Sequence, residues 1–249
     1  MGSLDERVSI VTGGAGGIGR AYCLGLAAEG SSVVVADMAD GQPVVDEIEA
    51  AGGKGLAVPV DVSDEASTRA MAQAASEHFG RIDVLVNNAA YFKQVTRGPW
   101  HEIDVDEWDR AFAVNVRGVW LCSRAVYRFM KEQGYGKIIN ISSNTVWKGV
   151  PMFLHYVTSK AALTGLTRSL AREVGDDNIS VNTVAPDFIP DDDMLRTRGN
   201  HSDEVIAQRA FKRMQTADDM VGTIVFLAGP GSDFITGQSI LVNGGAFFQ

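Results

Sequence analysis

Short runs of β-branched and apolar residues alternate with longer segments of helical periodicity along nearly the whole chain, and this rhythm constrains the fold most. Strands are predicted at Val8 to Val11, Ser32 to Ala36, Gly55 to Val60, Ile82 to Val86, Lys137 to Ser142, Ile179 to Val184 and Ser239 to Val242. Between them helices are predicted over 17–30, 42–51, 64–79, 106–133, 155–174 and 217–228. Such alternation implies parallel strands joined by right-handed helical crossovers. The strands read as continuous apolar runs, as expected when helices cover both faces. The expectation is an α/β fold, a doubly wound parallel sheet of seven strands in one domain spanning 1–249. Residues 187–215 break the rhythm, with no strand pattern and only weak helical periodicity. We expect them to cover a site at the C-terminal ends of the strands.

Composition narrows the function. With 249 residues, 45% of them hydrophobic, the chain can bury a substantial core. A net charge of −9 argues against a nucleic-acid partner, whose phosphates require clustered Lys and Arg. No apolar run is long enough to span a membrane. Residues Met1 to Arg7 lack the features of a secretory signal, and Glu6 stands where myristoylation wants Ser or Thr, so a cytoplasmic protein is expected. Cys23 and Cys122 lie far apart in predicted helices, without metal-ligand spacing, and read as buried apolar side chains; no metal site is expected.

The first strand runs into Thr12-Gly-Gly-Ala-Gly-Gly-Ile-Gly19, and a helix follows at once. Glycines there let the backbone turn sharply and approach a pyrophosphate, while the helix N-terminus offers unpaired N–H groups and partial positive charge. The absence of a Gly-Lys-Ser/Thr ending disfavours a triphosphate loop. At the end of the second strand Asp37 offers a carboxylate that accepts bonds from ribose hydroxyls and repels a 2′-phosphate. Met38, Ala39 and Asp40 supply no compensating cation, so the expected cofactor is NAD.

Tyr156-Val-Thr-Ser-Lys160 opens a predicted helix, and a spacing of four puts Tyr156 and Lys160 on one face. An ammonium beside a phenol lowers its pKa toward the working range, so the tyrosine can exchange a proton with an alcohol while hydride moves to or from nicotinamide. The pair alone is weak evidence. Ser143 ends a strand upstream, where its hydroxyl can hold a substrate oxygen against Tyr156. Asn87-Asn-Ala-Ala90 follows another strand end, and Asn115 lies in a helical stretch. Strand ends are where open α/β sheets bind ligands.

Together these motifs resemble the short-chain dehydrogenase/reductase family, in its compact single-domain branch, from about Arg7 to Gly245. The residues that carry the resemblance are the glycine loop, Asp61-Val62, Asn87-Asn-Ala-Ala90, Asn115, Ser143, Tyr156-x-x-x-Lys160 and Asn182-x-Val-x-Pro186. The resemblance implies a Rossmann fold in which Tyr156 is the acid/base and Ser143 positions the substrate oxygen. Lys160 would bind the nicotinamide ribose, and Asn115 would hold a relay water. Gly13, Ala15, Gly17, Ile18 and Gly19 would cradle the dinucleotide, Asp61 and Val62 its adenine. Asn88 would line the groove, with Pro186 and Ile189 at the nicotinamide and Ile189 on its carboxamide. The closing strand, within Ile235 to Gly245, resembles one often found in a homotetramer interface. Departures from the pattern are Ala90 for Gly, Asp187 for the Gly after Pro186, and Asp191 for a Thr. Asp191 could replace the lost contact to the carboxamide, and solvation is expected for Asp192 and Asp193.

Candidate pocket residues follow the strand ends: Tyr91 and Phe92, Thr145 and Trp147, Phe153 and His155, and Phe188; His155 reads as a packing or hydrogen-bonding residue rather than a second acid/base. So many aromatic side chains favour an apolar or aromatic substrate. The missing glycine and the Trp147 region also resemble family members that oxidise secondary aryl alcohols such as 1-phenylethanol. The expected reaction therefore interconverts a secondary alcohol and a ketone. A sugar or polyol dehydrogenase is the enzymatic alternative. A dinucleotide-sensing regulator is the non-enzymatic one, disfavoured because Asn115, Ser143, Tyr156 and Lys160 are all present.

Overall fold

The computed structural model describes residues 2–190 and 201–248. Strands β1 (Val8–Thr12), β2 (Ser32–Asp37), β3 (Lys54–Pro59), β4 (Val84–Asn87), β5 (Gly136–Ile141), β6 (Ile179–Pro186) and β7 (Ser239–Val242) form one parallel sheet in the order β3-β2-β1-β4-β5-β6-β7. Seven parallel strands are what the sequence rhythm predicts, and the ends move by at most two residues.

Alternate residues of each strand feed two apolar layers, as the pleat requires. Ile10, Val34 and Leu85 enter a core with Met71 and Ala75 of α3 (Glu65–Phe79) and Cys122 and Met130 of the Val119–Gln133 helix. Val11, Val35 and Val86 enter the opposite core. There they meet Tyr22, Cys23 and Leu26 of α1 (Gly17–Ala28), Ile48 of α2 (Gln42–Ala50), and Met220 and Ile224 of the Asp218–Ala228 helix. Full burial of a side chain such as Leu26 or Leu85 contributes about 1.5–3 kcal/mol. Both cysteines are buried free thiols, their pKa pushed up to about 12 by burial.

Two predicted segments differ. A single helix is expected over 106–133, but α4 (Val105–Phe112) and α5 (Val119–Gln133) are separated by a π turn at Ala113–Gly118. Asn115 lies inside that turn, and such widened turns concentrate at functional sites. Helical periodicity continues through it, so the sequence does not display the break. Within 187–215 the structure has a helix at His201–Gln208, which the weak periodicity conceals. The remaining helices are α6 (Thr145–Lys148) and α7 (Leu154–Glu173); the two after them are α8 (His201–Gln208) and α9 (Asp218–Ala228). Asp191, Asp192 and Asp193 lie outside the described residues. No described helix is long and apolar enough to cross a membrane, and no group of His, Cys, Asp or Glu among the described residues is arranged to hold a metal ion.

Candidate active site

The sheet changes direction of construction between β1 and β4, which are neighbours although not consecutive. Crevices form at such points, beyond the C-terminal ends of the strands. Thr12, Asp37, Asn87 and Pro186 close β1, β2, β4 and β6, and Ser143 lies two residues past β5.

The turn after β1 is built for close approach. Gly13 sits at φ +65, where a Cβ would lie 2.9 Å from the Ala89 Cα. At Gly19 a Cβ would lie 2.0 Å from the Gly13 carbonyl oxygen, so even alanine cannot enter without moving backbone. Gly16 and Gly17 face open space, Gly17 at φ +52. Helix α1 begins there with no side-chain cap and no acidic residue in its first turn, leaving N–H groups and dipole for an anion. The described residues therefore fit a dinucleotide pyrophosphate. Ala15 donates its N–H to Asp37 Oδ2 at 3.0 Å, joining the turn to the end of β2, and Ile18 is half-buried on α1. Asn88 supports this turn from behind, its Nδ2 donating to the carbonyls of Thr12 at 3.0 Å and Gly13 at 3.1 Å.

Further along the edge, Asp61 accepts from Ser63 N and Oγ at 2.9 and 2.6 Å, and its carboxyl is held below the usual range chiefly by that hydroxyl. Val62 is buried in the α3/α5 core, where it lies against Gly118 of the π turn.

Tyr156 and Lys160 lie on one face of α7, both buried. The lysine Nζ is 6.0 Å from the phenol ring centre and donates to the Ile141 carbonyl at 2.8 Å. Ser143 lies near enough to the Tyr156 phenol to hold its pKa down. Thr145 donates to Ser143 Oγ through its Oγ1 at 2.9 Å and its N at 3.2 Å, which leaves the serine proton for the phenol oxygen.

Burial dominates both ionisations. It pushes the Tyr156 phenol up to about 12, a shift that Ser143 moderates, and pushes Lys160 down to about 8. The expected lowering of the phenol by the ammonium is not met in the chain by itself. The reason is packing: Phe153 stacks on Tyr156 at 4.6 Å and Phe92 tilts against it at 5.3 Å. Arg97 in turn covers the Phe153 ring at 4.4 Å.

Asn115 is fully buried. Its Oδ1 accepts from Tyr91 N at 2.8 Å, and its Nδ2 donates to Tyr91 O at 3.2 Å and Ser159 Oγ at 3.0 Å. Ser159 donates to the Tyr156 carbonyl at 2.7 Å, so Asn115 fixes the Tyr91 loop to α7. Trp147 and Phe188 are half-buried, and the Phe188 carbonyl accepts from Arg209 at 2.9 Å. Ile189 packs on the α1/α9 core. His155 bonds Glu107 at 3.0 Å, away from the Ser143–Tyr156 pair. Sequence reasoning missed Ser159, Asn144, Lys148 and Arg209. The first two adjoin Lys160 and Ser143 and were open to inspection, whereas Arg209 carries no local signal.

The comparisons agree with this geometry. A family model described as enoyl-(acyl carrier protein) reductase matches residues 13–246. The short-chain reductase protein NovJ of Streptomyces niveus is 38% identical, covering 97% of this chain and 94% of its own. The 3-oxoacyl-[acyl-carrier-protein] reductase FabG of Staphylococcus epidermidis is 37% identical, over 97% of this chain and 99% of its own. A crystal structure of a putative short-chain alcohol dehydrogenase from Sinorhizobium meliloti 1021 superposes with a TM-score of 0.91 at 30% identity, covering 98% of this chain and 97% of the other. A glycine turn at the switch point, a buried Ser143–Tyr156–Lys160 group and these matches give one answer: the chain belongs to the short-chain dehydrogenase/reductase family of nicotinamide-dependent oxidoreductases.

Proposed function

We propose that the protein is an NAD-dependent oxidoreductase that interconverts a secondary alcohol and a ketone, with an apolar or aromatic group beside the reacting carbon. The observation that carries this reading is the buried group at the end of β5: Ser143 beside the Tyr156 phenol, with Lys160 one turn further along α7 and held by the Ile141 carbonyl. Bound nicotinamide supplies or accepts the hydride. Gly13, Ala15, Gly17, Ile18 and Gly19 would hold the dinucleotide, with Asp37 toward the ribose, Asp61 and Val62 toward the adenine, Asn88 beside the groove, Pro186 toward the nicotinamide and Ile189 toward its carboxamide. Tyr156 is neutral at pH 7 with its pKa near 12, so it is the proton donor for reduction. Ser143 holds the substrate oxygen within reach of that proton and stabilises the phenolate once the proton has moved. Lys160 steadies the phenolate electrostatically, and Asn115 holds the relay water and the wall of the site.

Phe92 and Phe153 shield Tyr156 from water, and Thr145, Trp147 and Phe188 border the substrate. Of the expected cover over 187–215, Asp187 to Pro190 and the chain from α8 to Gln215 border it, while residues 191–200 lie outside the described residues. Asp37 favours NAD because a 2′-phosphate would meet a carboxylate already tied to the glycine turn. The net charge of −9 disfavours an acidic carrier protein as substrate vehicle. The same reading assigns a cytoplasmic homotetramer in which the edge strand β7 lies at a subunit contact. Purified protein with NAD or NADP and a panel of aryl, alicyclic and polyol secondary alcohols tests it through the absorbance of reduced nicotinamide. Turnover of aryl alcohols with NAD supports the reading, and inactivity across the panel refutes it.

A further inference from the structure

Asp187 directly follows Pro186 at the end of β6, and its carboxylate is bonded by side chains from two separate segments. Its Oδ1 accepts from Asn144 Nδ2 at 3.2 Å and Lys148 Nζ at 2.8 Å, and Oδ2 accepts from Arg209 Nε at 3.0 Å. The side chains of Asp187, Lys148 and Arg209 are only 6%, 14% and 1% exposed. Charged groups persist at such burial only when paired and hydrogen-bonded, and removing one member strands the others.

Both side chains from the first segment lie around the turn that carries Ser143. Asn144 follows Ser143 directly, and its N–H donates to the Pro186 carbonyl at 2.7 Å. Lys148 closes α6, whose first residue, Thr145, makes both bonds to Ser143 Oγ. One carboxylate thus grips the start and the end of the turn, while Arg209 and the Asp187 N–H, which donates to Gln215 Oε1 at 3.1 Å, tie it to the chain beyond α8. A glycine at 187 could do none of this.

We propose that Asp187 is a positioning residue: paired with Lys148 and Arg209, it fixes Asn144 and α6 so that the Ser143 hydroxyl stays aimed at Tyr156. The proposal rests on the proton-transfer reading above. Misplacement of a catalytic group by about 1 Å can cost up to a hundredfold in rate, whereas the proposed pyrophosphate and adenosine contacts lie after β1, β2 and β3, on segments that Asp187 does not bond.

Two variants test it. Asp187→Asn keeps the shape and removes the charge. Lys148→Met leaves the Asp187–Arg209 pair intact, so the fold should survive. Both should lower kcat about tenfold or more, while the KM for NAD changes less than about twofold. The double variant should lose no more than the worse single one, since the two residues act on one turn. In 13Cζ-tyrosine NMR of the chain without substrate, the Tyr156 resonance (assigned by its loss in Tyr156→Phe) should shift in Lys148→Met. An unmoved resonance, or unchanged kcat with only a lower Tm, overturns the proposal. If the wild type itself shows no turnover, the functional reading fails, and the NMR arm still decides the positioning role.

Discussion

Replacing Lys160 with Met should make the protein more stable at neutral pH while stopping its chemistry. Burial lowers the folded lysine from 10.5 to about 8, so the folded state resists carrying the charge that the unfolded chain carries freely. The sign follows from linkage: between these pH values the unfolded chain binds more protons, and stability rises with pH. The charged lysine therefore costs about 3 kcal/mol at pH 7 and under about 1 kcal/mol at pH 10, from 1.36 kcal/mol per pKa unit. Methionine has similar length and no charge to desolvate. Against the gain stands the bond from Nζ to Ile141 O, worth about 1 kcal/mol. The net expectation is a variant about 2 kcal/mol more stable at pH 7, or about 4–8 °C in Tm for a chain of this size. Denaturant unfolding of both proteins at pH 7 and pH 10 measures the gap, and the buried cysteines cancel because both proteins contain them. The gap should close or reverse by pH 10. A variant less stable at pH 7, or a gap independent of pH, would falsify the burial account of this site.

Other outcomes follow from the same geometry. Because Tyr156 ionises only near 12, kcat/KM for alcohol oxidation should climb about tenfold per pH unit between pH 6 and 7, below the Lys160 value of about 8 and therefore with its charge in place, while ketone reduction stays flat; a flat oxidation profile contradicts the phenol assignment. Asp37→Ser should shrink the preference for NAD over NADP by about tenfold or more, ~1.4 kcal/mol, in kcat/KM; an unchanged ratio removes Asp37 from cofactor choice.

Much of this was legible in the sequence for physical reasons. Parallel strands covered on both faces are mostly apolar, so Val33 to Ala36 and the pair Ile138-Ile139 announce themselves. The glycine turn is legible because close backbone approach forbids a Cβ at Gly13 and Gly19. Tyr156 and Lys160 are marked by spacing. The break at Asn115 is hidden, because a π turn leaves helical periodicity on either side unchanged. The Asp187 cluster is hidden for a different reason. Its cations lie 39 and 22 residues away in sequence, and nothing local to Lys148 or Arg209 says that a buried carboxylate awaits them. The tyrosine pKa is hidden too, since it depends on how Phe92 and Phe153 pack.

The most direct test of the central claim compares wild type with Tyr156→Phe. Both would be given NADH and an aryl ketone, with cofactor oxidation followed by absorbance and NADH affinity by fluorescence titration. Loss of the proton donor should lower kcat at least a hundredfold while NADH binds within about twofold of wild type. Equal turnover in the two proteins would contradict the assignment of Tyr156 as the acid/base.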